Sequence, residues 1–333
     1  MKLSLIICTY MRPEPCKNLL ESIKVQTLYP DEILIIDGSR DEFTKGMIES
    51  SGYENVQYFK VPDESRGLTR QRNYGLDRVD PSSKIICYVD DDTILEPDYF
   101  ENIVDTFEKN PLVAGVGGVA INENKWLPAI PGKAYDKHKY YCLDGFVYRD
   151  GQRNVIRNYL GLNSPLLPGC MPDFSHGRTS GYPLNGKQYE VDLLIGMSFA
   201  FRHDVFNQIR FSQYFEGYGL YEDADFSLRA KKFGKNIINT KVRLSHFHDP
   251  GGRPDKYKYG KMVVRNGWYV WRVGYPKPSV KAKIKWHAVT LLLATIRLGN
   301  SFTEKDKKEA FREAMGRYSA WLKLLIIKPQ IIS

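Results

Sequence analysis

The stretch Lys84-Ile85-Ile86-Cys87-Tyr88-Val89-Asp90-Asp91-Asp92 decides how this chain is read. Its apolar part reads as a buried strand, and it ends in three consecutive carboxylates. A helical segment follows and opens at Pro97, a favoured first helical position. Three like charges at one strand end repel each other unless something cationic sits among them. Mg²⁺ or Mn²⁺ meets that need, because hard divalent ions prefer oxygen ligands and keep part of their shell for substrate phosphate. An isolated triplet reads equally well as a solvated acidic turn capping a helix, so the surroundings must decide.

Towards the N-terminus the pattern is regular. Residues 3–8 form a continuous apolar run, as expected of a strand buried on both faces. Thr9-Tyr10-Met11-Arg12-Pro13 breaks it, and helical spacing runs over 14–26. Residues 32–36 are a second strand, ending at Asp37-Gly38-Ser39. Asp41 can cap a helix to about residue 50. Strand 56–61, helix 68–79 and strand 85–89 complete the series. Such β-α-β alternation implies right-handed crossovers and a mostly parallel sheet flanked by helices. Ligands of these sheets bind at the carboxyl ends of the strands. Thr9, Asp37 and Asp90 to Asp92 all fall there. No GxGxxG follows the first strand and no GxxxxGK[ST] occurs, which argues against a dinucleotide fold or a P-loop.

Towards the C-terminus, 99–108 reads as a helix and 113–121 as a Gly-rich strand. Periodicity then lapses from about 122 to 188, a stretch rich in Pro, Gly, Asn and Tyr that reads as an insertion lining a variable binding site. Residues 191–202 are strand-like. In 217–229, helical spacing places Glu222, Asp223 and Asp225 in a first turn, where acidic residues are favoured by the macrodipole alone. Strand 236–244 precedes Ser245-His246-Phe247-His248-Asp249. Two histidines two residues apart share one face of an extended chain; beside an acidic triplet elsewhere they suit a metal.

Of 333 residues, 42% are hydrophobic and 26% charged, ordinary for a soluble globular protein. No signal peptide is visible, and the apolar stretch 288–296 is too short to span a bilayer. Five cysteines form no CxxC pair, which suits a reduced, cytoplasmic protein. Residues 255–285 hold nine Lys/Arg against one acidic residue, nearly the whole of the +9 net charge. Interleaved with Tyr257, Tyr259, Trp268, Tyr269, Trp271, Tyr275 and Trp286, they suit an anionic membrane surface on its cytosolic face, to which the protein would attach peripherally. Solvated basic faces and core aromatics give the same composition. With the body nearly neutral and no recognised module, nucleic acid is not an expected partner.

Taken together, these residues resemble the family 2 glycosyltransferases, the inverting group with the GT-A fold. Ile6-Ile7-Cys8-Thr9-Tyr10-Met11-Arg12 is similar to the opening strand and nucleotide loop, and the segment Gln26-Thr27 through Asp37-Gly38-Ser39 to the second. Arg66-Gly67 with Arg72-Asn73-Tyr74-Gly75 resembles the third, Asp90-Asp91-Asp92 the DxD element, residues 196–202 the segment before the acceptor helix, and Glu222-Asp223 the catalytic acidic pair. The resemblance covers roughly the first 250 residues. Many members carry Asp-Asp-Gly-Ser where this chain has Ile36-Asp37-Gly38-Ser39.

The resemblance implies a catalytic domain over 1–254, comprising a nucleotide-binding half (1–121), the acceptor-side insertion (about 122–190) and a catalytic half (191–254). A basic, aromatic-rich helical region follows over 255–333. It implies a nucleotide-sugar donor, a UDP-sugar foremost, and a glycan or lipid-linked acceptor. Thr9, Tyr10, Arg12, Asp37, Arg72, Asp90 and Asp91 would bind the donor. Asp92 would ligate a divalent cation with His246, or alternatively His248. Asp223 would be the general base, with Glu222 positioning the acceptor or supporting that base. Competing readings are a sugar nucleotidyltransferase, whose Gly-rich phosphate loop is missing after the first strand, and a non-catalytic membrane-surface scaffold, which has no use for Asp223 or a metal.

Overall fold

The computed structural model describes residues 1–179, 181–249, 254–303 and 305–331. Its elements in chain order are β1 (Leu3–Thr9), α1 (Pro13–Lys24), β2 (Glu32–Asp37), α2 (Phe43–Ser51), β3 (Val56–Lys60), α3 (Leu68–Leu76), β4 (Ile85–Asp90), β5 (Thr93–Leu95), α4 (Tyr99–Lys109) and β6 (Val113–Ala120). Then come β7 (Leu127–Pro128), β8 (Tyr140–Leu143), β9 (Phe146–Arg149), α5 (Gln152–Tyr159), β10 (Gln188–Val191), β11 (Ser198–Arg202), α6 (His203–Phe206), α7 (Glu222–Ala230) and β12 (Lys235–His246). Three long helices close the chain: α8 (Lys256–Gly274), α9 (Val280–Thr303) and α10 (Lys307–Ile326). The chain divides into two units, 1–124 with 184–253 and 125–183 with 254–333.

The first unit is the expected α/β fold. Its nine-stranded sheet runs in the order β10-β12-β6-β11-β4-β1-β2-β3, with β5 paired to the end of β12. The pairs β1–β2, β1–β4, β2–β3 and β6–β12 are parallel. Leu3, Leu5, Ile6 and Ile7 of β1 are wholly buried, each burial contributing about 1.5–3 kcal/mol. Helix α1 presents Leu19, Leu20 and Ile23 to the same core, as its spacing predicts. Gly115 of β6 lies where a Cβ would run into the Phe201 ring, so a glycine there lets β11 lie against it.

Strand β11 is antiparallel to both β4 and β6, so its starting end lies beside the carboxyl end of β4. Strand β12 follows β6, and its last residues pair antiparallel with β5, setting His246 opposite Thr93. These crossings carry α7 and the two histidines to the edge where Thr9, Asp37 and the triplet end.

Local readings needed adjustment where tertiary bonds intervene. Residues 191–202 are not one strand: the Leu194 and Gly196 N–H groups are drawn off to Ser227 Oγ (3.1 Å) and Asp223 Oδ2 (2.8 Å), so β10 stops at Val191. The helix after the triplet opens at Tyr99, not Pro97, because the Pro97 carbonyl is taken by the Thr27 N–H (2.8 Å) and the first helical bond runs from the Asn102 N–H to the Asp98 carbonyl (3.0 Å). Strand β12 outruns 236–244 because β5 gives its end a partner.

In the second unit, residues 125–183 are more regular than their composition suggests: β7, β9 and β8 make a small antiparallel sheet, and α5 follows. Helices α8 and α10 cross at Gly260 and Gly316, where a Cβ on either would collide with the facing backbone carbonyl. Glu313 binds Arg297 at 2.9 Å and Arg317 at 2.7 Å. Trp271 and Trp286 stack at 5.3 Å, and Trp268, Tyr269, Trp271 and Trp286 are all buried. These rings, expected at a membrane interface, are therefore packing residues. The exposed apolar side chains are others, among them Ile284, Phe302 at 76% and Ile326 at 85% exposure. Among the described residues, no helix is long and apolar enough to cross a membrane.

Candidate functional site

The three carboxylates at the end of β4 do not share one environment. Asp91 turns inward and is 4% exposed. It accepts from Thr9 Oγ1 at 2.7 Å and Arg12 Nη1 at 2.9 Å. Burial nevertheless raises its pKa to about 7, against the opposing pull of Arg12. Asp90 and Asp92 turn the other way. Asp92 Oδ2 accepts from the Asp249 N–H at 2.8 Å, and its Oδ1 lies 3.3 Å from His246 Nε2. Burial pushes Asp92 up, but the His246 hydrogen bond and charge outweigh it and its pKa lies below the usual value. Asp90 lies 3.5 Å from Arg72 Nη2, and burial raises it to about 6 despite that cation.

Ligand atoms of Asp90, Asp92 and His246 lie within 4.8 Å of one another. Two carboxylates and one imidazole form a donor set that suits Mn²⁺ or Mg²⁺. The repulsion anticipated from the triplet is thus met in part by the protein's own guanidinium groups, Arg12 on Asp91 and Asp92 and Arg72 on Asp90. Asp90 and Asp91 both stay raised, and Asp90 is the one of the two whose carboxylate lies in the cluster where a cation fits.

His246 also reaches the other way, its Nδ1 lying 3.3 Å from Glu123 Oε1. His248 Nε2 lies 2.7 Å from the same oxygen. Asn122 clamps the His246 backbone, donating to its carbonyl at 2.7 Å and accepting from its N–H at 3.0 Å. Arg12 further binds Asp249, side chain and carbonyl.

The acidic pair on α7 is likewise divided. Tyr221, just before the helix, has φ 72°, a left-handed conformation uncommon for a side-chain-bearing residue. Glu222 points inward, 3% exposed, and forms an ion pair with buried Arg72. Arg72 also donates to the Gly196 carbonyl at 3.1 Å and lies over the rings of Phe199 (4.8 Å) and Phe211 (5.3 Å). Burial raises the Glu222 pKa to about 8 in spite of Arg72, and its Oε2 has no hydrogen-bond partner among the described residues. Half-buried Asp223 is held by two backbone donors, Gly196 N–H and Ala224 N–H, each at 2.8 Å.

Of the expected nucleotide contacts, Tyr10 is 40% exposed on the loop after β1. Asp37 is covered: Oδ1 accepts from the Ser39 N–H at 2.7 Å and Oδ2 from Tyr58 Oη at 2.8 Å. Thr9, Arg12 and Arg72 spend their donors within the protein. Sequence reasoning missed Glu123, Asn122, Asp249 and Gln71, whose amide donates to the Thr9 and Ile36 carbonyls at 3.0 and 2.8 Å. Glu123 was findable by the rule that flagged Asp90, since it follows a buried strand at its carboxyl end.

The model of glycosyl transferase family 2 matches residues 4–171, half of the chain. The glucosyl-dolichyl phosphate glucuronosyltransferase of Haloferax volcanii is 30% identical over 168 residues, 49% of this chain and 51% of that protein. The chain therefore spans about half the length of that curated relative. Among solved structures, a mannosyltransferase from Pyrobaculum calidifontis in complex with GDP-Man and Mn²⁺ superposes with TM-score 0.53 at 14% identity, over 98% of this chain and 87% of that one. GalNAc-T7 with UDP, GalNAc and Mn²⁺ gives TM-score 0.54 at 15% identity, over 87% and 54%. At these identities the likeness is one of fold, and that fold is GT-A.

Proposed function

The chain belongs to glycosyl transferase family 2, and on that footing we propose that it transfers a sugar, with inversion, from a nucleotide-diphospho-sugar to a hydroxyl of a glycan or lipid-linked acceptor. The observation that carries this is the meeting, at one sheet edge, of the Asp90–Asp92–His246 cluster with Glu222–Asp223, joined through Arg72.

In this reading the acceptor oxygen attacks the anomeric carbon while that carbon's bond to the diphosphate oxygen breaks. The electron pair leaves with the nucleotide, and the hydroxyl proton passes to Asp223. Two backbone N–H groups hold the Asp223 carboxylate in one orientation, which a general base needs. A single displacement requires no enzyme nucleophile. Glu222 and Arg72 fix the first turn of α7 beneath it, so Glu222 acts as a positioning residue. Asp90, Asp92 and His246 would hold a divalent cation, which when bound supplies Lewis-acid neutralisation of the leaving diphosphate. Tyr10 offers an exposed ring to the donor. Asp37, Thr9, Arg12, Asp91 and Gln71 shape the loop that receives it; Asp37, covered and with both oxygens engaged by Ser39 and Tyr58, supports that loop from beneath. A UDP-sugar is the donor proposed first.

A lipid-linked acceptor is favoured by the Haloferax relative, named for a dolichyl phosphate substrate. Exposed Ile284, Phe302 and Ile326 beside the lysines of α9 and α10 support peripheral attachment to an anionic membrane surface. Absence of flotation with anionic liposomes at low salt would remove that part.

The direct test is a thermal-shift screen of UDP-, GDP-, dTDP- and CMP-sugars with Mn²⁺ or EDTA. One donor should raise the melting temperature in Mn²⁺ alone, and the shift should vanish in Asp92→Ala. No metal-dependent shift with any donor would overturn the reading in favour of a non-catalytic protein.

A further inference from the structure

His246 belongs to two donor sets. Its Nε2 faces Asp92, while its Nδ1 joins Glu123 and His248, whose ligand atoms also lie within 4.8 Å of one another. The second set holds two imidazole nitrogens and one carboxylate oxygen, against two carboxylates and one nitrogen in the first. Two imidazoles with a carboxylate suit zinc, whose ~2.0–2.1 Å bonds space tetrahedral ligands by roughly 3.3 Å. The separations from Glu123 Oε1 are 3.3 Å to His246 Nδ1 and 2.7 Å to His248 Nε2. Nitrogen-rich sites also favour Zn²⁺ over Mn²⁺ in the order of divalent affinities.

The residues are brought together by the fold rather than by chance surface proximity. Asn122, next to Glu123, grips the His246 backbone from both sides. The backbone at His248 turns through φ 53°, and its ring lies 4.0 Å from that of His246. Glu123 and His248 are exposed, so the set is open to ions from solvent.

We propose that Glu123, His246 and His248 form a second, inhibitory site for a borderline-soft divalent ion such as Zn²⁺, and that its occupation excludes the cation of the Asp90–Asp92 site. The exclusion follows from imidazole chemistry. A neutral ring has one lone pair and one N–H. With zinc on Nδ1 the proton sits on Nε2 and is donated to Asp92. With a metal on Nε2 the proton sits on Nδ1 and is donated to Glu123. The ring serves one ion at a time. The inference uses the donor-site reading for Nε2, but its test counts bound metal and does not depend on sugar transfer.

The test titrates the full chain with ZnCl₂ and MnCl₂ separately and together, by calorimetry and by Mn²⁺ electron paramagnetic resonance. In the wild type, saturating Zn²⁺ should displace Mn²⁺. His248→Ala, at an exposed position, should weaken zinc roughly tenfold or more while moving Mn²⁺ affinity less than about twofold, and should abolish the displacement. Asp92→Ala should do the reverse, losing Mn²⁺ and keeping zinc; Glu123→Ala should lose zinc and checks the assignment if Asp92→Ala does not fold. Zinc binding that survives His248→Ala and Glu123→Ala but not Asp92→Ala would mean that zinc merely enters the first site. Simultaneous, independent binding of both ions, or no zinc binding, would also overturn the proposal.

Discussion

At the end of β4, Arg12 meets Asp91 and Asp92 with its side chain still in partial contact with solvent; at the start of α7, Arg72 meets Glu222 with both side chains buried. Each arginine has one close acidic partner, Asp91 or Glu222, and reaches a second at 3.5 Å, Asp92 or Asp90 respectively, while Asp223 is held by backbone N–H groups instead. The difference lies in solvation. Asp91 has Thr9 as a second donor, whereas Glu222 keeps a buried oxygen without a partner among the described residues. Adjacent acidic residues therefore divide labour, and the more deeply buried pair carries the larger energetic stake.

The largest expected effect sets the proposed general base, Asp223, against the anchored carboxylate on α7. Asp223→Asn should lower kcat by roughly 10²–10⁴-fold, the range of a lost general base, while nucleotide affinity measured by calorimetry stays near wild type. Glu222→Gln should retain far more turnover. Equal losses in the two variants would erase the distinction between them.

The next effect compares the arginines. Arg72→Ala leaves Glu222 and Asp90 without their buried cation and should cost about 3–5 kcal/mol in urea unfolding, as broken buried pairs do. Arg12→Ala should cost clearly less, because Thr9 still serves Asp91 and water reaches the site. If Arg12→Ala proves the more destabilising, the ranking by burial fails.

The smallest effect is in pH dependence. Burial raises Glu222 to about 8 from an ordinary 4.5. Between those values the folded chain binds more protons than the unfolded one, so stability is fully present below about pH 4.5 and is lost as pH rises through 8. Glu222→Gln has no such proton to lose. Metal-free melting temperatures at pH 5.5 and 8 should therefore differ less in Glu222→Gln than in the wild type. An unchanged slope would show that Arg72 keeps Glu222 ionised throughout.

Period-two and helical patterns are local, and they were enough for β1 to β4, α1 to α4 and α7, and for the inference that Thr9, Asp37 and Asp90 to Asp92 share one edge of a mostly parallel sheet. His246 was legible for the same reason, as a ligand type just beyond a strand. What each side chain does at that edge was not legible, because it depends on partners far along the chain. Asp91 faces in because Thr9 and Arg12 wait there, 82 and 79 positions away. Arg72 serves Glu222 and Asp90 because antiparallel β11 brings residue 196 and α7 beside β4. Glu123 meets His246 because β6 and β12 run parallel and end together. Residue order by itself determined the elements and the edge; strand order, which no local period encodes, decided which carboxylates are locked in buried ion pairs and which face the shared cluster.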